Sequence, residues 1–428
     1  MRTLVTLMRN WRLSPDALRA LQERKLRRVV RHAYERVPYY RGLFQRSGLH
    51  PDDIHTLEDL PKIPVSYKQD LLASGAEELL TMGVRPEGCH ITNTSGTTGQ
   101  PMVVYTNAAE SRLLRGLEVR GMHVIGRRWH DHTAVLGIAH TRPRPLHQRL
   151  GINRTSAILN HLPLEEQGRL LQTLQPDLLW AYPSILTAVL HRVQYRLGRL
   201  ARPRLLITSS EMLDPWVRQQ LEVDPGPELF NWYGCMEVGR IAFECPAHEG
   251  LHINADHVIV ECLRERGPDG TGEPGTVVVT SLDSFTMPFL RYALGDTARI
   301  LPQRCSCGSS FPLLDLVLGR NWDMIVLPDG TLYPPGVAGL ALQGSDWIRH
   351  FRTVQERLDL LRVDLVVTRP ASDGEWRCLH NRYRQLLGPE VEIEFRIVDE
   401  IVEPTTRLGT FVSRLPDWHQ WAKAAVES

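Results

Sequence analysis

The feature that most constrains the fold is an alternation of strand-like and helix-like segments in the middle of the chain. The strand-like segments cover residues 133–139, 177–182, 205–208 and 229–232. Between them, stretches such as 164–174 and 184–197 have the apolar spacing of helices. Strands that alternate with helices indicate an α/β fold with crossover connections.

The regions on either side of this alternation have different patterns. Ser14 as N-cap and Pro15 at the first helical position predict a helix over residues 14–36, whose basic run we expect to face solvent. The segments 258–263 and 276–281 predict an antiparallel pair. After residue 320, alternating segments at 359–367 and 392–398 around a helical stretch at 376–387 indicate a small α+β domain.

The composition excludes several classes of protein. The 428 residues carry 50 Lys and Arg against 49 Asp and Glu, whereas a general nucleic-acid binder is usually more basic. No stretch approaches the roughly 18 apolar residues of a membrane span. The first residues lack the pattern of a signal peptide. We therefore expect a soluble cytoplasmic protein with neither nucleic acid nor membrane as partner.

Two glycine-rich runs could bind phosphate. In TNTSGTTGQP, residues 92–101, glycines let backbone N–H groups approach an anion and hydroxyls donate to phosphate oxygens. The run lacks the Gly-Lys-Ser/Thr ending of a Walker loop, and a plain surface loop is an equal alternative on these residues alone. The run GTGEPG at 270–275 matches a dinucleotide fingerprint only in its letters, because it opens no helix. It predicts a hairpin connection.

A cluster of cysteines and histidines could hold a metal. The candidate ligands are Cys245, His248, His252, Cys305 and Cys307. Three thiolates and one imidazole suit a closed, structural zinc site. The Cys-x-Cys spacing is tighter than the common Cys-x₂-Cys, and free thiols are the alternative.

Four motifs together resemble those of the adenylate-forming enzymes, the superfamily of acyl-CoA ligases and peptide-synthetase adenylation domains. TSGTTGQP at 94–101 resembles their phosphate loop, and NWYGCME at 231–237 resembles their adenine and magnesium motif. RYALGD at 291–296 resembles the ribose motif, and GRNWDMI at 319–325 resembles the hinge motif. The motifs occur in the order that the family has them.

Further segments resemble the phenylacetate–CoA ligase branch, which includes ligase-like proteins from capsular polysaccharide clusters. They run over 32–72, 176–186 and 205–213. The resemblance covers residues 14–345 well and is weak in the last 80. It implies a large N-terminal α/β domain with mixed sheets and helices over 1–320. A small α+β C-terminal lid domain would follow over 326–428, behind a hinge near 319–325. Homodimers are common in this branch.

The resemblance implies an AMP-forming ligase that uses ATP and Mg²⁺. A carboxylic acid would attack the α-phosphorus of ATP, and the acyl-adenylate would then pass its acyl group to CoA, a carrier thiol or an amine. The acyl pocket would include Tyr182, Ser184 and His140. The zinc ligands would be Cys245, His252, Cys305 and Cys307, with His252 favoured over His248.

The resemblance also implies roles for individual residues at the nucleotide. Ser95, Gly96, Thr97, Thr98 and Gly99 would surround the β- and γ-phosphates. Tyr233 would stack on adenine, Asn231 would bind its amino group, and Gly234 lies between them and Glu237. Asp296 would bind the ribose with Arg320 nearby, and Glu211 is a further cofactor-binding candidate. Glu237 would hold Mg²⁺, and Glu237, Thr98 and Arg407 are the catalytic candidates.

The sequence departs from the family pattern around the reacting phosphorus. The usual C-terminal lysine corresponds to Thr410 or Leu408, and the only lysine of that region is Lys423 in the terminal tail. Arg407 could supply positive charge, although a planar guanidinium differs from an ammonium group. Met236 stands where the family has Thr or Ser, and Trp322 where the hinge motif has aspartate. An acyl-transfer-only enzyme and a nucleotide-binding relative without adenylation are therefore alternatives.

Overall fold

The computed structural model describes most of the chain in two compact units. The described ranges are 2–93, 102–138, 146–193, 196–213, 215–222, 226–263, 274–320, 325–328, 332–333, 341–342, 345–401 and 411–415. The first unit comprises Met1–Gly126 and Trp232–Val317, and the second comprises Arg127–Asn231 and Leu318–Ser428. Among the described helices, none is both long enough and apolar enough to cross a membrane.

Helices occur in both units. They are α1 (Arg2–Asn10), α2 (Pro15–Arg36), α3 (Pro38–Arg46), α4 (Lys68–Ser74), α5 (Ala76–Leu79), α6 (Ala108–Val124), α7 (Leu146–Arg149), α8 (Leu164–Leu174), α9 (Pro183–Arg192), α10 (Leu197–Leu200), α11 (Pro215–Leu221) and α12 (Asp373–Leu387). Short 3-10 helices cover Pro51–Asp53, Leu57–Lys62 and Pro86–Gly88.

Strands form several sheets. They are β1 (His90–Asn93), β2 (Val103–Thr106), β3 (Thr133–Ile138), β4 (Thr155–Leu159), β5 (Leu178–Ala181), β6 (Leu205–Ser209), β7 (Glu228–Cys235), β8 (Gly239–Glu244), β9 (Leu251–Ile253), β10 (Val258–Leu263), β11 (Gly275–Ser281), β12 (Tyr292–Leu301), β13 (Leu313–Arg320), β14 (Ile325–Val326), β15 (Leu332–Tyr333), β16 (Ile348–Arg357), β17 (Leu360–Val367), β18 (Glu392–Ile397) and β19 (Phe411–Ser413).

In the first unit, helices cover a largely antiparallel sheet. Its strands follow the order β10-β11-β12-β13-β9-β8-β7, and β1 pairs separately with β2. The antiparallel pair β10–β11 confirms the predicted hairpin, whose connection covers the GTGEPG run. Helix α2 begins as predicted, because the Ser14 side chain accepts a hydrogen bond from the Ala17 backbone N–H at 3.3 Å. It ends at Arg36, before Pro38.

The basic face of α2 differs in part from the prediction. Arg27 and Arg31 are exposed as expected. Lys25 is instead only 23% exposed, and its ammonium group donates to Asp283 and to a backbone carbonyl. Its partners lie more than 200 residues away in the sequence, so local periodicity could not reveal them.

The second unit contains the α/β alternation that the sequence predicted. Strands β4, β3, β5 and β6 lie side by side, and each neighbouring pair is parallel. Helix α8 matches the expected range, whereas the helix expected over 184–197 ends at Arg192 and α10 begins at Leu197. The mixed α/β architecture is therefore confirmed.

The C-terminal part of the second unit has the expected α+β composition. Strands β18, β17, β16 and β19 form one sheet in that order, and α12 precedes β18. Buried side chains of this part, such as Phe351 and Leu365, belong to the same apolar cluster as Leu136 and Leu186. The boundary between 1–320 and 326–428 stays a prediction, and residues 321–324 of the hinge motif lie outside the described ranges.

Candidate active site and metal centre

The adenine and magnesium motif ends in a tight turn between β7 and β8. Residues 236–238 form this turn, and Cys235 pairs with Gly239 at its base. A Cβ on Gly234 would lie only 2.4 Å from the Gly239 carbonyl oxygen. Gly239 itself has a φ of 79°, which favours glycine. The two glycines thus allow the close backbone approach that presents Glu237 on the turn.

Two tyrosine hydroxyls join this motif to the ribose motif. Tyr233 Oη donates to Asp296 Oδ2 at 2.5 Å, and Tyr292 Oη donates to Glu237 Oε1 at 3.1 Å. The partners are 63 and 55 residues apart in the sequence. The adenine and magnesium motif is therefore linked to the ribose motif by two hydrogen bonds.

The residues next to Glu237 are poor candidates for covalent chemistry. Burial raises the pKa of the Cys235 thiol well above its ordinary value, and the Glu237 charge raises it further. A protonated thiol is a weak nucleophile. The side chain of Met236, which is 50% exposed, offers no hydrogen-bond donor.

Asn231, the adenine candidate, is half-buried, with its Oδ1 3.5 Å from the hydroxyl of Thr208.

Two of the expected acyl-pocket residues, Tyr182 and Ser184, lie at the start of α9 in the second unit. Ser184 donates to Glu211 through its hydroxyl, at 2.7 Å to Oε1, and through its backbone N–H, at 3.0 Å to Oε2. A carboxylate at a helix N-terminus is favoured by the helix dipole. Gly137 faces this region, because a Cβ there would lie 2.7 Å from Ile185 Cδ1 and 3.8 Å from Tyr182 Cγ.

Several predicted site residues lie outside the described ranges. They are Ser95, Gly96, Thr97, Thr98 and Gly99 of the phosphate run, His140 of the acyl pocket, and Arg407 near the chain end. Arg320 is the last residue of β13, but its side chain is not described. The structure therefore gives no geometry for the predicted phosphate contacts.

The four predicted zinc ligands come together in the first unit. The ligand atoms of Cys245, His252, Cys305 and Cys307 all lie within 4.8 Å of one another. Cys245 Sγ is 3.5 Å from Cys305 Sγ, and Cys307 Sγ is 3.3 Å from His252 Nε2. Sulfur atoms bound tetrahedrally at about 2.3 Å from zinc would be about 3.8 Å apart. The cluster therefore has the size and the donor set of a closed zinc site.

The surroundings of the cluster determine which ring nitrogen of His252 faces the cysteines. His252 Nδ1 lies 3.1 Å from the Phe311 carbonyl oxygen, so Nδ1 carries the hydrogen and Nε2 is left to face the cysteines. The ring of Trp11 stands edge-on to His252 at 4.9 Å. His248 is not in the group, and its Nδ1 lies 3.6 Å from a Glu244 carboxylate oxygen.

Burial shifts the pKa values of these candidate ligands. It raises the pKa of Cys305 to about 12, raises that of Cys245, and lowers that of His252. Thiolates would need positive charge to form here, whereas a neutral imidazole is favoured.

Sequence reasoning missed two residues that support these sites. Tyr292 lies inside the ribose motif but received no role, although its hydroxyl binds Glu237. Trp11 contacts His252 from the N-terminal end of the chain. Membership of a recognised motif could have indicated Tyr292, whereas no local signal distinguishes Trp11.

Comparison with known proteins identifies the family. No protein-family model matches the chain. The chain is 30% identical over 425 residues to the phenylacetate–coenzyme A ligase of Thermus thermophilus, covering 94% of this chain and 89% of that protein. The chain belongs to the phenylacetate–coenzyme A ligase family. The family member from Escherichia coli is 27% identical over 405 residues, covering 89% of this chain and 91% of its own.

Solved structures agree with the fold expected of this family. A crystal structure of 2-hydroxyisobutyryl-CoA ligase, described as in the postadenylation state, superposes with a TM-score of 0.80. It covers 98% of this chain and 94% of its own at 21% identity, which supports the fold alone. A structure of an anthranilate CoA ligase gives a TM-score of 0.53 at 16% identity, with 82% of this chain and 72% of that chain covered. The adenylate-forming fold of the phenylacetate–coenzyme A ligase family is thus confirmed.

Proposed function

We propose that this protein is an AMP-forming acyl-CoA ligase. A substrate carboxylate attacks the α-phosphorus of ATP, which gives an acyl-adenylate and pyrophosphate. The thiol of CoA then attacks the acyl carbon, which gives an acyl thioester and AMP. The named relatives, all phenylacetate–coenzyme A ligases, support this two-step reaction.

One observation carries the proposal beyond the family. The hydroxyl of Tyr233 donates to Asp296, and the hydroxyl of Tyr292 donates to Glu237. These contacts bring the adenine, magnesium and ribose candidates of two distant motifs together. Tyr233 then stacks on adenine, and Asn231 binds the adenine amino group. Gly234 allows the backbones of β7 and β8 to approach closely, and Asp296 accepts hydrogen bonds from the ribose hydroxyls.

The chemistry at the phosphates depends mainly on positioning and on stabilisation of charge. By resemblance, Ser95 to Gly99 donate to the β- and γ-phosphates, Thr98 is a catalytic candidate, and Arg320 lies near the ribose. Glu237 would hold Mg²⁺, because a carboxylate oxygen suits this hard cation, and the ion would neutralise charge on the phosphate oxygens. The roles of residues 95–99 depend on the sequence resemblance alone.

The loss of the usual lysine concerns the first half-reaction. Arg407 is our candidate for the missing positive charge near the reacting phosphate. The alternatives, transfer from an adenylate made elsewhere and nucleotide binding without adenylation, are not favoured by the ligase relatives. Replacing Thr410 with lysine tests this point, since a large gain in adenylation would indicate a decayed site.

The acid lies near Tyr182, Ser184 and His140, and Glu211 fixes the start of α9 beside them. A carrier-protein thiol and an amine are the alternative acceptors to CoA. We further propose a homodimer and a cytoplasmic location.

We also propose that Cys245, His252, Cys305 and Cys307 hold a structural zinc ion. Four protein ligands leave no open position, so this ion takes no part in the reaction. It joins the segment after β8 to the segment before β13, and so stabilises the sheet that carries Glu237.

The decisive experiment measures pyrophosphate release from ATP and Mg²⁺ with a panel of aryl, fatty and amino acids, with hydroxylamine present to trap the adenylate. We expect release with one class of acid, and thioester formation when CoA is added. Tyr233→Ala and Asp296→Ala should abolish release, whereas the exposed Met82→Ala should not. Absence of release with every acid, while ATP still raises the melting temperature, would favour the alternatives.

A further inference from the structure

A chain of hydrogen-bond contacts links α2 to the turn that carries Glu237. Lys25 Nζ on α2 donates to Asp283 Oδ2 at 2.7 Å and to the Asp256 carbonyl oxygen at 2.7 Å. The same Asp283 oxygen lies 3.2 Å from His257 Nδ1. His257 Nε2 lies 2.9 Å from the carbonyl oxygen of Val238, the residue after Glu237. We call Lys25, Asp283 and His257 the relay.

The chemistry of its partners orients the imidazole of His257. A backbone carbonyl can only accept a hydrogen bond, so Nε2 donates to Val238. Nδ1 faces the Asp283 carboxylate at 3.2 Å. Burial alone would raise the pKa of Asp283, but hydrogen bonds and charge from His257 and Lys25 lower it. The imidazole therefore links Asp283 to the turn.

The relay lies in a confined place. The side chain of His257 is 2% exposed, and Val238 is equally buried. Glu237, Val238, His257 and Asp283 line a cavity of about 10 Å³, which is at the lower limit for one water molecule. The contact between His257 and the turn is therefore shielded from bulk solvent.

We propose that His257 is a positioning residue for the nucleotide site, which holds the Val238 carbonyl and thereby fixes the carboxylate of Glu237. Tyr292 orients one oxygen of that carboxylate, and the relay fixes the backbone of the turn from below. Lys25 and Asp283 hold the imidazole in place. This inference rests on the proposed function, because it takes Glu237 as the Mg²⁺ ligand.

Two substitutions of His257 separate the two ends of the ring. In His257→Gln the amide nitrogen occupies the place of Nε2 and keeps a donor for Val238. In His257→Asn it occupies the place of Nδ1 and keeps the donor for Asp283, while the contact with Val238 is lost. Both variants lose the imidazole ring, so each is the control for the other.

The measurement is the dissociation constant for ATP by calorimetry, with Mg²⁺ and with EDTA, on the full chain. We expect His257→Asn to weaken binding of ATP with Mg²⁺ by roughly 10-fold, as a buried carbonyl acceptor left without its donor does. His257→Gln should stay within about threefold of the wild type. With EDTA, the two variants should bind ATP equally, since the effect acts through the Glu237 carboxylate.

Three other results would overturn the inference. If the two variants weaken binding equally with and without Mg²⁺, His257 has a merely structural role. If neither changes binding, the relay does not position the turn. A wild type that binds no ATP refutes both the inference and the proposed function. A different outcome concerns the proposed function alone: if the wild type binds ATP but releases no pyrophosphate with any acid, that function fails, and ATP binding by the variants still tests the relay. Should His257→Asn not fold, Asp283→Asn replaces it and should weaken Mg²⁺-dependent binding in the same direction.

Discussion

Replacing Gly234 with alanine tests how closely the backbone must approach at the base of the Glu237 turn. The new Cβ would lie 2.4 Å from the Gly239 carbonyl oxygen and 3.2 Å from Arg240 Cα, whereas ordinary contact begins near 3.4 Å. The two strands must therefore separate by about 1 Å at this position. Because both neighbours are backbone atoms, rotation of a side chain cannot relieve the clash.

This displacement should affect catalysis more than stability. Crowding of this kind costs about 1–3 kcal/mol of unfolding free energy, which a folded chain of this size tolerates. A misplacement of about 1 Å in a catalytic group can cost about 100-fold in rate. We therefore expect Gly234→Ala to lower the rate of pyrophosphate release about 100-fold, while the chain remains folded by circular dichroism.

Gly88→Ala is the matched control, because nothing lies within 4 Å of a Cβ at that position. It should keep the wild-type rate and melting temperature. The reasoning is refuted if Gly234→Ala releases pyrophosphate at the wild-type rate, since the turn would then adapt to a shift of this size. A Gly234→Ala protein that is unfolded would instead show that we underestimated the structural cost.

Three further predictions concern buried or bound charges. Arg120 and Asp256 form a fully buried ion pair, with 2.8 Å between Nη1 and Oδ2. Arg120→Met should therefore lower the unfolding free energy, measured by urea denaturation, by about 3–5 kcal/mol. A loss under 1 kcal/mol would contradict this. Purified protein should contain about one zinc ion per chain by mass spectrometry. Cys305→Ser should lower both the zinc content and the melting temperature. The site would be disproved by purified wild-type protein that contains no zinc and by a Cys305→Ser variant of unchanged stability. Tyr292→Phe removes the hydrogen bond to Glu237, and it should raise the Mg²⁺ concentration for half-maximal activity severalfold in a metal titration, while the chain stays folded. An unchanged Mg²⁺ requirement would show that Tyr292 does not act on the metal site.

The alternating middle segments were predictable from the sequence because their signals are local. Apolar periodicity identified α8 to the residue, and Ser14 with Pro15 identified the start of α2. The cluster of Cys245, His252, Cys305 and Cys307 was predictable for a related reason, since few residue types can serve as metal ligands. The choice of His252 over His248 required the resemblance, and it agrees with the ring that faces Cys307.

The supporting contacts could not be predicted, because they join residues far apart in the sequence. Lys25 was expected on a solvated face, yet its partners Asp256 and Asp283 lie 231 and 258 residues away. His257 gave no signal either, since a single histidine in a strand-rich region has no pattern. Such contacts are set by the packing of α2 against loops of the sheet, which periodicity does not encode.

The division of each unit into two separate chain segments has a consequence for synthesis on the ribosome. Residues 1–126 cannot complete their core until Trp232–Val317 has emerged, because strands β7 to β13 belong to that later segment. At 5–20 residues per second, the intervening segment 127–231 alone delays completion by roughly 5–20 seconds. Throughout that interval Arg120 has no Asp256 to pair with, and the apolar faces of α2 and α6 lack their sheet. Nascent chains of this protein should therefore depend on chaperones until strands β7 to β13 have been synthesised. Fragments that end near residue 231 should aggregate.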